Sequence, residues 1–263
     1  MNYKKKLAES NILRSFIFPL LSKFDFELRV KHDITKRHIT LMSWLHKGYW
    51  YYGWLREKEE VERFKELIPK GGCVLEVGGH IGYLTQVFEY LIGDEGIIVV
   101  VEPTPRSRYF LHKNVLPSTK VLPVAVSNEV GKMDFFIEEF GGYTNSLVRE
   151  FTETTNSSLS SSQRKIPQNV KKIEVDVTTI DAICNDVGYS PDFIKIDVEG
   201  AELNVLQGAK KTLPDVGSLM VEITRNHKEV YDLLYEFKFK AISKSGEALS
   251  KEEYPSGNVF FVR

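Results

Sequence analysis

The chain has 263 residues, a formal net charge of −1, 42% hydrophobic residues and 27% charged residues. This composition supports a buried core and excludes wholesale disorder. The near-zero net charge argues against a nucleic-acid binder, whose affinity would rest on many Lys and Arg side chains. The only cysteines, Cys73 and Cys184, cannot form a disulfide framework or a thiolate zinc site. Because no signal peptide is recognisable either, we expect a cytoplasmic protein.

Residues 1–68 are predicted to be a mostly helical N-terminal extension. Residues 1–37 carry nine Lys/Arg against four Asp/Glu, and the apolar patch Ile12–Leu21 is too short and interrupted to span a bilayer. A solvated helix is favoured, and weak contact with a membrane surface stays open. An aromatic cluster follows, for which packing is favoured over ligand contact: Trp44, Tyr49, Trp50, Tyr51, Tyr52 and Trp54.

Strands and helices alternate from residue 69 onward, which predicts a Rossmann-like α/β domain over residues 69–263. Such alternation indicates a mainly parallel sheet with helices on both faces. The last two strands are too close for a helix between them, so an antiparallel edge pair is expected. The predicted strands are Cys73–Val77, Gly96–Val101, Val121–Val126, Phe193–Asp197, Gly217–Ile223, Phe239–Ser243 and Val259–Val262, and the predicted helices are Tyr83–Leu91, 107–115, Glu202–Leu213 and 226–237.

An insertion at about residues 133–177 interrupts this order. Met133–Ile137 and Ile173–Val177 are predicted strands, and the Ser/Thr-rich segment Thr152–Gln168 between them is predicted to be a mobile loop. Gly141–Ser146 carries hydroxyl and amide groups that suit a polyol, although a plain turn explains it equally well.

A glycine-rich turn between the first strand and its helix is the strongest local signal. It lies within Val74–Thr85, and glycines there let a ligand approach the backbone closely. Glu76 and Glu102 each end a strand. An acid at position 76 would repel a pyrophosphate, whereas an acid at position 102 can accept hydrogen bonds from ribose hydroxyls. This pair favours S-adenosylmethionine over a nicotinamide dinucleotide, and a nicotinamide-dependent oxidoreductase stays the less favoured alternative.

Four stretches together form a recognisable pattern: Val74–Thr85, Val101–Pro105 with Asn114, Ala125–Asn128 and, most specifically, Asp192–Glu202. Through these stretches the sequence resembles the FkbM family of methyltransferases. This resemblance implies a class I methyltransferase fold with a seven-stranded sheet and O-methylation of a sugar, glycan or other natural product. The residues that it implies for the donor S-adenosylmethionine are Glu76, Gly78, Gly79, His80, Gly82, Glu102, Pro103, Val126, Ser127 and Asp197.

Two positions depart from the family pattern. Glu76 stands where most members have Asp, and Gly79-His80 stands where most have Ala-Asn. In the family this position lies near the amino group of the donor's methionine moiety, which the longer Glu76 is still expected to reach. His80 either replaces an amide hydrogen bond or weakens donor binding. A non-catalytic member that binds the cofactor or serves as a scaffold is therefore the leading alternative.

Methylation of a hydroxyl calls for a base or a metal, because the hydroxyl must lose its proton. Asp197, His227 and Glu199 are the candidate catalytic residues. A magnesium ion held by Asp197, Glu222 and Asn226 is the less favoured arrangement. We expect no metal, a hydroxyl-bearing small molecule or glycan as acceptor, and no nucleic-acid partner; homo-oligomer formation stays open.

Overall fold

The computed structural model describes residues 18–51, 57–138, 145–148, 170–250 and 252–263. The predicted loop Thr152–Gln168 and the aromatic residues Tyr52 and Trp54 lie outside these ranges. Within them, no helix is long and apolar enough to cross a bilayer.

The N-terminal part contains a β-hairpin, so the prediction that residues 1–68 are mostly helical is wrong over residues 27–42. Ile39 and Leu41 are buried while the residues that alternate with them are more exposed, and this period of two is the strand signal that the prediction missed. The elements are α1 (Phe18–Lys23), β1 (Glu27–Lys31), β2 (His38–Met42), α2 (Lys47–Tyr51) and α3 (Lys58–Leu67), with β1 and β2 antiparallel.

Alternating strands and helices follow, as predicted. Their bounds are β3 (Cys73–Val77), α4 (Tyr83–Ile92), β4 (Ile97–Val101), α5 (Pro105–Asn114), β5 (Lys120–Leu122), β6 (Ala125–Val126), β7 (Gly131–Glu138), β8 (Val170–Thr178), α6 (Ile180–Val187), β9 (Phe193–Ile196), α7 (Glu202–Gln207), β10 (Ser218–Ile223), α8 (His227–Glu236), β11 (Lys240–Ile242) and β12 (Gly257–Val262).

The central sheet of the described chain has seven strands in the order β11-β12-β10-β9-β3-β4-β5. Neighbouring strands are parallel from β10 to β5, whereas β12 is antiparallel to both β10 and β11. The predicted seven-stranded, mainly parallel sheet and its antiparallel edge pair are therefore confirmed. Because β3 and β9 lie side by side in the middle of the sheet, residues that follow them meet at one edge.

Two predicted elements differ from the structure. The predicted strand Val121–Val126 divides at Pro123, which has no N–H for a strand ladder; β5 stays in the central sheet, and β6 joins a second sheet of order β6-β8-β7. The predicted helix Glu202–Leu213 ends at Gln207. The next residue, Gly208, packs against another backbone segment, where a Cβ would lie 2.2 Å from the Ser127 carbonyl oxygen. The two insertion strands are confirmed as an antiparallel pair.

Both faces of the central sheet are covered by apolar side chains, as predicted. On one face, Leu75 and Ile194 belong to a large buried cluster that includes residues of α6, α7 and α8. On the other face, Val74 and Phe193 pack with Phe64 of α3 and with residues of α4. Burial on both faces explains why these strands are nearly continuous apolar runs.

The N-terminal hairpin is attached to the central domain by Asn114, the last residue of α5. Its side chain accepts from the Thr40 N–H at 2.6 Å and donates to the carbonyl oxygens of Thr40 at 2.9 Å and Ile81 at 2.7 Å. Asn114 is only 2% exposed, so a substitution would leave these backbone groups poorly paired.

We expect Asn114→Ala to lower the free energy of unfolding by about 2–4 kcal/mol, because buried backbone groups lose their partners. Denaturant unfolding of the full chain measures this change. His112→Ala, at an exposed site on the same helix, is the matched control and should change stability little. Equal losses in the two variants would contradict the assigned role of Asn114.

Candidate functional site

A cavity of about 480 Å³ opens at the carboxyl ends of β3, β4 and β9. Most of the predicted site residues line it: Glu76, Gly78, Gly79, His80, Glu102, Pro103, Val126, Asp197, Glu199 and Glu222. Four do not: Gly82, Ser127, His227 and Asn226. The central strands thus bring both parts of the predicted site, residues 76–126 and residues 197–222, to one place.

The glycine loop needs two of its glycines for its backbone conformation. Gly78 and Gly82 have φ values of 90° and 84°, in the left-handed region that glycine adopts readily. A Cβ at Gly78 would lie 1.9 Å from the Asp197 carbonyl oxygen, so the backbones of the two strand ends approach closely. Gly82 therefore shapes the loop without lining the cavity.

His80 also has a left-handed backbone, with a φ of 46°. Histidine is among the non-glycine residues enriched in this conformation, which makes the departure from the family pattern compatible with the turn. The His80 N–H donates to Glu102 Oε2 at 2.9 Å. The ring nitrogen Nδ1 of His80 forms a hydrogen bond with the Tyr49 hydroxyl, 3.0 Å away. His80 is thus held by contacts from two directions.

Glu102 has a carboxylate suited to a diol. Its two oxygens accept one backbone hydrogen bond each, from His80 and from Thr104 at 2.9 Å. A carboxylate has about four acceptor positions, so capacity remains toward the cavity. Burial raises the pKa of Glu102, and the hydrogen bonds from Thr104 and His80 oppose that rise. This arrangement fits the two hydroxyls of a ribose.

Lys195 is the central residue of the site that the sequence analysis missed. It is 3% exposed, and its ammonium lies 3.1 Å from Asp197 Oδ2 and 3.6 Å from Glu76 Oε1 and donates to the Gly78 carbonyl oxygen at 2.8 Å. Burial lowers the pKa of Lys195, but Asp197 and Glu76 raise it more, so the side chain is charged. A lone lysine within an apolar strand could have revealed its role, because a buried cation requires anionic partners.

Glu76 is paired inside the protein. Its side chain is 1% exposed, Thr85 donates to Oε2 at 2.5 Å, and Lys195 lies beside Oε1. Burial raises the pKa of Glu76 to about 6, although Lys195 and Thr85 oppose the rise. Its predicted contact with the amino group of the donor stays a prediction.

Asp197, Glu199 and Glu222 form a carboxyl cluster in which one oxygen of each lies within 4.8 Å of the others. Burial raises the pKa of Asp197, but Lys195 and a hydrogen bond with Glu222 outweigh burial, so the net pKa is lowered. The charge of Asp197 and then burial raise the pKa of Glu222. Burial, Asp197 and Glu202 raise the pKa of Glu199 to about 9. At neutral pH the cluster therefore carries its charge on Asp197, and the other two carboxyls hold protons.

The insertion contributes to the wall beside this cluster. Ser146 donates from its hydroxyl to the Glu199 carbonyl oxygen at 2.6 Å, where Glu199 has a φ of 56°. Asn145 lines the cavity and donates to Thr104 Oγ1 at 3.2 Å. Residues 141–144 of the predicted substrate loop lie outside the described residues.

The structure does not bring the predicted magnesium ligands together as a set. Asn226 is exposed and does not line the cavity, whereas Glu199 lies beside Asp197 and Glu222. His227 begins α8 and also does not line the cavity. The ammonium of Lys195 already supplies a positive charge next to Asp197, which weakens the case for a metal there.

Comparison with known proteins gives one family. Residues 76–241 match the model described as the methyltransferase FkbM domain. A search of curated proteins found no match.

Solved structures resemble the chain at low sequence identity. A putative rRNA methylase from Clostridium thermocellum is 8% identical, with a TM-score of 0.40 and coverage of 78% of this chain and 92% of that chain. A precorrin-6y C5,15-methyltransferase from Geobacter metallireducens is 11% identical, with a TM-score of 0.42 and coverage of 78% and 87%. Fibrillarin from Aeropyrum pernix, with natively bound S-adenosyl-L-methionine, is 14% identical, with a TM-score of 0.39 and coverage of 78% and 73%.

The family assignment rests on the matched residues 76–241, which include the glycine loop, both strand-end acids and the whole carboxyl cluster. The chain belongs to the FkbM family of methyltransferases.

Proposed function

We propose that the protein is an S-adenosylmethionine-dependent methyltransferase that methylates a hydroxyl group of a sugar, glycan or other natural product. The observation that supports this most is that one cavity contains the glycine loop, the Glu102 carboxylate and the ionised Asp197. The glycine loop and Glu102 would hold the donor, with Val126 near its adenine. The donor supplies a methyl carbon on a positively charged sulfur.

Asp197 is the base in this proposal. As the acceptor oxygen forms its bond to the methyl carbon, the carbon–sulfur bond breaks and its electron pair stays on sulfur. The hydroxyl proton then passes to Asp197. A carboxylate with a low pKa suffices, because an oxygen that gains a third bond becomes a far stronger acid than a carboxylic acid. Lys195 and the protonated Glu222 keep Asp197 ionised and oriented.

The charge of the cavity supports an uncharged acceptor. Seven carboxyl side chains line the cavity, of which those of Glu199 and Glu222 hold protons at neutral pH. Only two lysines, Lys47 and Lys195, lie among its lining residues in the described chain. One of the two, Lys195, is already paired with Glu76 and Asp197. Phosphate groups would be repelled from this surface, so neither a nucleic acid nor a phosphorylated sugar suits it.

The first prediction from the proposed function concerns donor binding. Calorimetric titration of the full chain with S-adenosylhomocysteine should show binding, with NADH as the negative control ligand. Glu102→Ala should weaken binding about 10- to 100-fold, because hydrogen bonds to a charged acceptor are lost. Glu129→Ala, at an exposed site outside the cavity lining, should bind like the wild type.

Absence of binding by folded wild-type protein would contradict the proposal. Tight binding without turnover on any hydroxyl acceptor would instead favour a non-catalytic member of the family. Binding of NADH alone would favour an oxidoreductase.

The second prediction concerns the base. Asp197→Asn should lower turnover by about 10²- to 10⁴-fold, because proton acceptance is lost, and His227→Ala should leave turnover nearly unchanged. The control measurement is S-adenosylhomocysteine affinity, which separates a loss of chemistry from a loss of donor binding.

The pH profile distinguishes the candidate bases. The pKa of Asp197 is lowered below that of an ordinary carboxyl group. Its basic, ionised form is therefore present at neutral pH and is lost only when the pH falls through the lowered pKa. With saturating donor, wild-type turnover should therefore stay flat from about pH 7 to 8, above the Glu76 pKa of about 6. A fall below about pH 6.5 that persists in Glu76→Gln would instead point to a histidine base. A rise toward the Glu199 pKa of about 9 would point to Glu199.

The third prediction concerns a metal. Because Lys195 already compensates Asp197, chelation with EDTA should leave wild-type turnover unchanged. Loss of turnover on chelation, restored by Mg²⁺, would overturn this expectation and assign the carboxyl cluster to a cation.

A further inference from the structure

The cavity is closed in part by residues that lie before the family-matched region. The match begins at residue 76, yet Leu45, Lys47, Gly48 and Tyr49 of the N-terminal part line the cavity. Tyr49 belongs to the aromatic cluster for which packing was favoured over ligand contact. In the structure Tyr49 both packs on other aromatic rings and lines the cavity.

Tyr49 makes a polar contact with His80 of the glycine loop. Its hydroxyl and His80 Nδ1 lie 3.0 Å apart, and the two rings are 6.0 Å apart between centroids. The backbone N–H of His80 donates to Glu102. One residue therefore joins the N-terminal part to the carboxylate that suits the ribose.

Tyr49 packs against a row of neighbouring rings. Its ring centroid lies 4.8 Å from that of Tyr83, at the start of α4, and Tyr83 stacks on His32 at 4.1 Å. His32 Nε2 lies 3.2 Å from the Tyr83 carbonyl oxygen, which ties the hairpin to the same helix. His46 packs edge-on against His80, with centroids 5.4 Å apart.

The hairpin that precedes Tyr49 is attached to the central domain. Asn114 bonds to β2 and to the glycine loop, and Gln86 donates to the His38 carbonyl oxygen at 2.9 Å. Arg37 forms a salt bridge with Glu89 and donates to the Asn114 carbonyl oxygen. These contacts make the N-terminal part a fixed wall of the site.

We propose that Tyr49 is a positioning residue for the donor site: its hydroxyl holds His80 in the left-handed turn that presents the loop and Glu102 to the donor. This inference rests on the proposed function. It assigns residues 45–49 to the donor site, in addition to the family-matched residues. The left-handed conformation of His80 costs free energy, and the bond to Tyr49 offsets part of that cost.

The test is a double-mutant cycle on S-adenosylhomocysteine affinity, measured by calorimetry with the full chain. Tyr49→Phe should weaken binding about fivefold, the effect expected for one lost hydrogen bond. His80→Ala should weaken it at least as much. The double variant should bind no more weakly than His80→Ala alone, because Tyr49 acts through His80.

Two further variants sharpen the test. His80→Asn should recover most of the affinity, because Asn tolerates the left-handed conformation and its amide can bond to the Tyr49 hydroxyl. Tyr109→Phe is the matched control: this tyrosine is 51% exposed, and its hydroxyl donates to Glu27 outside the cavity. Its removal should leave affinity unchanged. If His80→Ala does not fold, His80→Gly, which relieves the positive φ, replaces it in the cycle.

Unchanged affinity in Tyr49→Phe would overturn the inference. So would a weakening that persists in full in the His80→Ala background, since Tyr49 would then act through general packing. If the wild-type protein does not bind S-adenosylhomocysteine, the proposed function and the inference fall together. Binding without coupling between positions 49 and 80 overturns the inference alone.

Discussion

The buried ammonium of Lys195 is the interaction on which the rest of the site depends. It lies between the carboxylates of Glu76 and Asp197 and bonds to the Gly78 carbonyl oxygen, so it joins the ends of the two central strands. Burying these charges is costly unless each has a partner, and removing one member of such a group leaves the others unpaired. The site therefore forms as a unit, in which the position of each acid depends on the same cation.

The Lys195 ammonium also sets which carboxyl group of the cluster is ionised. Lys195 favours the ionised form of Asp197, and the charge of Asp197 raises the pKa of Glu222 and contributes to that of Glu199. Three acids close together thus carry one charge at neutral pH instead of three, which limits their repulsion. One carboxylate ionised at neutral pH beside two neutral ones is an arrangement that can accept a proton without a metal.

Two of the described residues with a strained backbone line the cavity. His80 and Glu199 both have positive φ values and both line it, and each is held by contacts from a separate part of the chain. The N-terminal part holds His80 through Tyr49, and the insertion holds the Glu199 carbonyl through Ser146. Strained residues persist only where surrounding contacts determine them, so the two additions to the central domain help to stabilise the site.

The sequence by itself determined the α/β architecture, the glycine loop and the strand-end acids, because apolar runs, glycines and lone carboxylates are local signals. It did not reveal the hairpin at residues 27–42, whose alternation spans only a few residues, or the break at Pro123 that moves β6 to a second sheet. Only the tertiary structure decided that Lys195 pairs with both Glu76 and Asp197, that Glu199 replaces Asn226 beside Glu222, and that Tyr49 meets His80. These contacts join residues far apart in the chain, and the packing of strands and helices sets their distances, which no local pattern encodes.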